Sequence, residues 1–72
     1  MYEESKREKF VRLAESRVNA TLKDISLIGN LSNKSNYDYT RGDVDKIIRT
    51  LKKSVNDLEL NFASKNRSDF KL

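Results

Sequence analysis

The chain has 72 residues and a net charge of +4, from 15 Lys and Arg against 11 Asp and Glu. It contains no Cys and no His, which excludes disulfides and thiolate metal sites and removes the commonest general base. A chain of this length forms one domain with a thin core, and oligomerisation is the route to further stability that its composition leaves open. We therefore expect no metal and no cofactor.

The first eight residues are rich in charge, and no apolar run that follows is long enough for a signal peptide or a membrane span. The lack of Cys suits a reducing compartment. We expect a soluble cytoplasmic protein with no membrane partner. The positive charge is spread along the chain, so no segment is typical of a basic nucleic-acid arm.

The first predicted helix covers about residues 4–28. Ser5 and Glu8 have the spacing of a capping box, and Gly29 stands where a left-handed C-cap glycine is expected. Residues that suit packing recur at helical spacing and form the main stripe of this helix. They are Phe10, Ala14, Val18, Thr21, Ile25 and Ile28, flanked by Val11 and Leu22.

A second stripe on the same helix consists of Leu13, Ala20 and Leu27, spaced seven residues apart. One partner helix cannot cover both stripes, so we predict a homodimer; the alternative is a tilted helix that buries one wide face. Arg17 and Asp24 lie between the stripes, where they either fix the register of a dimer or remain solvated. The predicted oligomer interface is Leu13, Arg17, Ala20, Asp24 and Leu27.

Residues 29–39 form a polar loop whose Asn and Ser side chains favour bonds to their own backbone. This loop is more elaborate than a helix connection requires, which predicts a partner-binding surface. The predicted partner-binding residues are Asn33, Lys34, Asn36, Tyr37 and Arg41. The tyrosines at positions 37 and 39 either stack on single-stranded nucleic acid or cap the open end of a hairpin core, and the sequence leaves both open.

The second predicted helix covers about residues 41–64. Thr40 and Asp43 have capping-box spacing, and Tyr39 and Val44 have that of a hydrophobic staple. A regular apolar seam follows, formed by Val44, Ile48, Leu51, Val55, Leu58 and Phe62. Because such a seam must be covered by another helix, we predict an all-α antiparallel two-helix hairpin that dimerises into a four-helix bundle. Residues 65–72 are expected to be frayed.

Four basic residues of the second helix lie away from its seam: Lys46, Arg49, Lys52 and Lys53. They form either a possible nucleic-acid face that lies along phosphates or an ordinary solvated face balanced by Asp45 and Asp57. The sequence contains no glycine-rich phosphate loop and no poised pair of carboxylates, and two helices seldom enclose a catalytic pocket. We therefore expect no enzymatic activity.

Three segments, residues 10–19, 27–40 and 43–47, resemble small uncharacterised bacterial proteins found with phages, plasmids and other mobile elements. The resemblance covers about residues 10–62 and brings no functional residue with it. It implies a regulatory or host-manipulating accessory protein in a bacterial cytoplasm. The expected function is a non-catalytic interaction module that binds a host protein or ribonucleoprotein, such as a defence nuclease that it inhibits. The alternative is a small dimeric nucleic-acid-binding regulator.

Overall fold

A computed structural model gives the chain two long helices, and it describes residues 3–66, with side chains to residue 63. Helix α1 spans Lys6–Gly29, a 3₁₀ turn follows at Asn30–Ser32, and helix α2 spans Arg41–Asn66. No strand occurs in the described residues, so the all-α prediction is confirmed for them. The prediction that residues 65–72 are frayed is wrong for residues 65 and 66, which belong to α2, and its remainder lies outside the described residues from position 67 onward. Two compact units follow each other along the chain, Met1–Asp38 and Tyr39–Leu72.

The capping box at the start of α1 is confirmed. The Glu8 backbone N–H donates to Ser5 Oγ, and the Ser5 backbone N–H donates to Glu8 Oε1, both at 3.0 Å. Ser5 has the extended backbone of an N-cap, with φ −71° and ψ 165°. These reciprocal bonds satisfy two backbone donors that the first helical turn would otherwise leave unpaired, and they set the start of the helix at Lys6.

The prediction of a left-handed glycine cap at the end of α1 is wrong. Gly29 is the last helical residue, with right-handed dihedral angles of φ −59° and ψ −31°. The chain does not reverse there, because it continues into the 3₁₀ turn, and Asn30 donates its backbone N–H to the Ser26 carbonyl. This bond continues the i→i−4 pattern of α1 past Gly29, so the Ser26 carbonyl is satisfied without a left-handed residue.

The capping box at the start of α2 is also confirmed. The Asp43 backbone N–H donates to Thr40 Oγ1 at 3.1 Å, and the Thr40 backbone N–H donates to Asp43 Oδ2 at 2.9 Å. An aspartate thus replaces the usual glutamate of the motif without loss of the reciprocal pair. Tyr39 and Val44, the two residues of the predicted hydrophobic staple, are both half-buried.

The apolar stripes of both helices are exposed to solvent or at most half-buried. Among residues 3–63 no side chain is buried. On α1 the exposed fraction is 50% for Phe10 and 55% for Val18, and on α2 it is 63% for Val55. Each helix therefore presents an apolar face that still requires a covering surface. Neither helix, within the described residues, combines the length and apolar character needed to cross a membrane.

Candidate functional site

The polar loop is organised around Asn33. The Ser35 backbone N–H donates to Asn33 Oδ1 at 2.9 Å, and the backbone N–H groups of Asn36 and Tyr37 each donate to the Asn33 carbonyl at 3.1 Å. The expected bonding of an Asn side chain to its own backbone is thus confirmed at Asn33. This residue, predicted to bind a partner, uses its side-chain oxygen to hold the turn.

The turn that Asn33 holds presents three other predicted partner-binding residues at the surface. Lys34, Asn36 and Tyr37 are all exposed, with 48% of Tyr37 accessible. Tyr39, in contrast, is half-buried beside the start of α2. The two tyrosines therefore differ: Tyr39 has the burial of a structural residue, and Tyr37 has the exposure of a contact residue.

Arg41, the fifth predicted partner-binding residue, is the first residue of α2. Its Nε donates to Asp45 Oδ1 at 3.2 Å, while 89% of its side chain remains accessible. An ion pair this exposed contributes little to stability, because water screens the charges. The guanidinium therefore remains accessible to an acidic or phosphate group of a partner.

The basic face of α2 is exposed at all four predicted positions. At about 100° per residue, Lys46, Arg49 and Lys53 fall within an arc of about 60°, and Lys52 lies about 100° away from Lys53. Lys53 Nζ forms an ion pair with Asp57 Oδ2 at 3.1 Å. A strip of three cations therefore runs along α2, with one of them partly neutralised by a carboxylate.

The predicted oligomer interface lies wholly on α1. Leu13 is half-buried, whereas Arg17, Ala20 and Asp24 are exposed and Leu27 is 53% accessible. Arg17 and Asp24, the two charged residues of this set, form no ion pair among the described side chains. The interface set is therefore an apolar strip with two charges of opposite sign that have no neutralising neighbour in this part of the chain.

A bidentate ion pair near the start of α1 was not predicted from the sequence. Arg12 donates through Nε to Glu4 Oε2 at 2.8 Å and through a terminal nitrogen to Glu4 Oε1 at 3.0 Å. The hydrogen bond from Arg12 is the main cause that lowers the pKa of Glu4, and the same bond raises the pKa of Arg12. The partners are eight residues apart across an N-cap, a spacing that helical periodicity does not relate.

The described residues contain no group of three or more acidic, Cys or His residues placed to hold a metal ion. A shallow depression of about 610 Å³ runs beside Val11, Arg12 and Ser16, and all its lining residues belong to α1. One face of a single helix cannot surround a substrate, so this depression lacks the enclosure of a catalytic pocket.

Comparison with protein-family models, with curated proteins and with solved structures gives no significant match. The resemblance to proteins of mobile elements therefore stays a prediction, and inference about function depends on the surfaces described above.

Proposed function

We propose that the protein is a non-catalytic helical interaction module of a bacterial mobile element, which acts in the cytoplasm and binds a host protein or ribonucleoprotein. Inhibition of a defence nuclease is one form that this binding takes. The observation that carries the proposal is the ordered loop, in which Asn33 holds a turn and Lys34 and Tyr37 remain exposed. An exposed aromatic ring on a preorganised turn is a side chain that protein interfaces favour, and Lys34 places a positive charge beside it.

The proposed architecture is an antiparallel hairpin that dimerises into a four-helix bundle. Helices α1 and α2 have similar lengths, 24 and 26 residues, so they can cover each other along most of their length. Ile48 and Leu58 of α2 are 45% and 52% exposed, and comparable apolar surface lines α1. Burial of apolar surface contributes about 25 cal/mol per Å², which favours assembly over two solvated helices.

The loop proposal is tested by affinity capture from a bacterial lysate, with and without nuclease. We compare the wild-type protein with Lys34→Ala and Tyr37→Ala, and use Lys23→Ala on α1 as a control that removes an exposed cation elsewhere. We expect one host protein to be retained by the wild type and the control and lost with both loop variants. Equal retention by all four proteins contradicts the assignment of the loop as the binding surface.

A second function, direct nucleic-acid binding by the dimer, is favoured by the strip formed by Lys46, Arg49 and Lys53. Binding along phosphates depends on salt, with a slope of about −0.9 per phosphate contact on duplex DNA. Fluorescence anisotropy with labelled DNA and RNA measures this slope. If the dimer binds nucleic acid directly, Lys46→Ala weakens this binding and reduces its dependence on salt. Absence of binding at low salt would contradict the second function.

A further inference from the structure

Two charged residues, Arg17 and Asp24, lie within the wide apolar face of α1. Phe10, Leu13, Arg17, Ala20, Asp24 and Leu27 alternate in spacing between three and four residues, the pattern of a coiled-coil seam. We call these six residues the α1 seam. At about 100° per residue, Arg17 and Asp24 lie between the leucine stripe and the stripe of Val18 and Ile25. Any helix that covers the α1 seam must therefore accommodate one cation and one anion.

The two charges cannot neutralise each other within one helix. They are seven residues apart, which corresponds to about 10 Å along a helix axis. Among the described side chains neither is in an ion pair, and both are exposed. Covering them with an uncharged surface would remove both from water without compensation, which is strongly unfavourable.

Helix α2 does not offer the required charges on its seam. All six seam positions of α2 are apolar, from Val44 to Phe62. This seam suits the other flank of α1, where Val18, Leu22 and Ile25 are exposed and apolar. The surface that covers Arg17 and Asp24 must instead carry an acid and a base at a spacing of seven residues, and α1 itself carries them.

The centre of the α1 seam is suited to close approach by another helix. Ala20 is small, and Thr21 Oγ1 donates to the Arg17 carbonyl at 2.8 Å. The hydroxyl is therefore satisfied within α1, and its burial leaves no unpaired donor. A two-fold axis that passes near these residues would bring two copies of α1 together at their narrowest point.

We propose that a second copy of this chain packs antiparallel on the α1 seam, so that each Arg17 pairs with the partner subunit's Asp24. A two-fold axis between Ala20 and Thr21 makes the two ion pairs equivalent and brings Leu13 opposite the partner subunit's Ile28, next to the partner subunit's Leu27. A parallel copy in register would instead set Arg17 beside the partner subunit's Arg17, which is repulsive. This inference rests on the dimer in the proposed function and adds its orientation and register.

Charge reversal tests the pairing. Arg17→Asp and Asp24→Arg each create two like-charge contacts, and we expect each to weaken dimerisation about a hundredfold, tenfold per contact. Sedimentation equilibrium measures the dissociation constant. Lys23→Asp and Glu15→Arg make the same charge changes on the polar side of α1, about 100° or more around the helix from Arg17 and Asp24, and we expect them to dimerise like the wild type. Circular dichroism shows whether each variant keeps its helices.

Combining the two charge reversals distinguishes loss of the ion pairs from a folding defect. It also determines the relative orientation of the two copies. We expect an equimolar mixture of the two single variants to form heterodimers, and the double variant R17D/D24R to dimerise alone. Native mass spectrometry then follows a mixture of the double variant with ¹⁵N-labelled wild type. Antiparallel pairing yields homodimers only, because the mixed pair opposes like charges, whereas heterodimers would indicate parallel pairing and overturn the proposal.

Two further outcomes distinguish an error in the α1 seam from an error in the dimer itself. A wild-type dimer that Arg17→Asp and Asp24→Arg leave as tight as before overturns the α1 seam and leaves the proposed dimer standing. A wild-type protein that stays monomeric under the same conditions overturns the dimer itself, and the α1 seam with it.

Discussion

Replacement of Gly29 by alanine is expected to stabilise the helical fold. Gly29 has right-handed dihedral angles of φ −59° and ψ −31°, and a Cβ built there has no neighbouring atom within 4 Å. Alanine therefore fits without strain and restricts the unfolded chain more than glycine does. The expected gain in the free energy of unfolding is about 0.5–1 kcal/mol, the difference between the two residues in helical backbone.

Urea denaturation followed by circular dichroism measures this gain at fixed protein concentration. Gly29→Asn is the matched comparison, because asparagine tolerates the left-handed region better than alanine and is the poorer helix former. Right-handed backbone predicts that the alanine variant is the more stable of the two. If alanine destabilises the protein and asparagine does not, Gly29 is a left-handed cap and the continuation into a 3₁₀ turn is refuted.

Three further predictions concern the seam, the amino terminus and the loop. Leu58 is 52% exposed in the single chain and would be buried only in the proposed bundle, so Leu58→Ala tests that burial. It is expected to lower the free energy of unfolding of the assembled protein by about 2–4 kcal/mol in urea denaturation, and Lys53→Ala by less than about 0.5 kcal/mol; equal losses would show that the seam is misplaced. Because the bond from Arg12 lowers the pKa of Glu4, their pair stabilises the folded state above the ordinary glutamate pKa and is lost as the pH falls through the lowered value. The stability gap between wild type and Glu4→Gln should therefore be present at neutral pH and close in acid, and a gap that is the same at both pH values would contradict this pairing. Tyr37→Ala should leave the melting temperature nearly unchanged, since the ring is 48% exposed; a loss of about 1–3 kcal/mol would make it a structural cap.

The local features of the fold were predictable from the sequence because their causes are local. The pairs Ser5–Glu8 and Thr40–Asp43 act over three residues, and the same spacing produces the same two bonds in the structure. Gly29 was predicted wrongly because a glycine after an apolar stripe is compatible with two endings, and only the dihedral angles distinguish a left-handed cap from a 3₁₀ turn.

The sequence predicted which residues form the candidate site better than it predicted their burial and their bonding partners. The sequence identified the loop as ordered by its own polar side chains, and Asn33 performs that task. It gave Tyr39 the spacing of a hydrophobic staple but left open whether Tyr37 and Tyr39 contact a partner or cap a core, and their different burial is visible only in the structure. The Arg12–Glu4 pair depends on the path of the chain before the N-cap, which no helical spacing specifies.

The mass of the wild-type protein in solution shows directly whether the apolar stripes of α1 and α2 are covered by assembly into the proposed homodimeric four-helix bundle. Size-exclusion chromatography with multi-angle light scattering, at tens of micromolar protein, is expected to give twice the chain mass of 8.4 kDa together with a strongly helical circular dichroism spectrum. A well-folded particle with the mass of one chain would contradict the dimer.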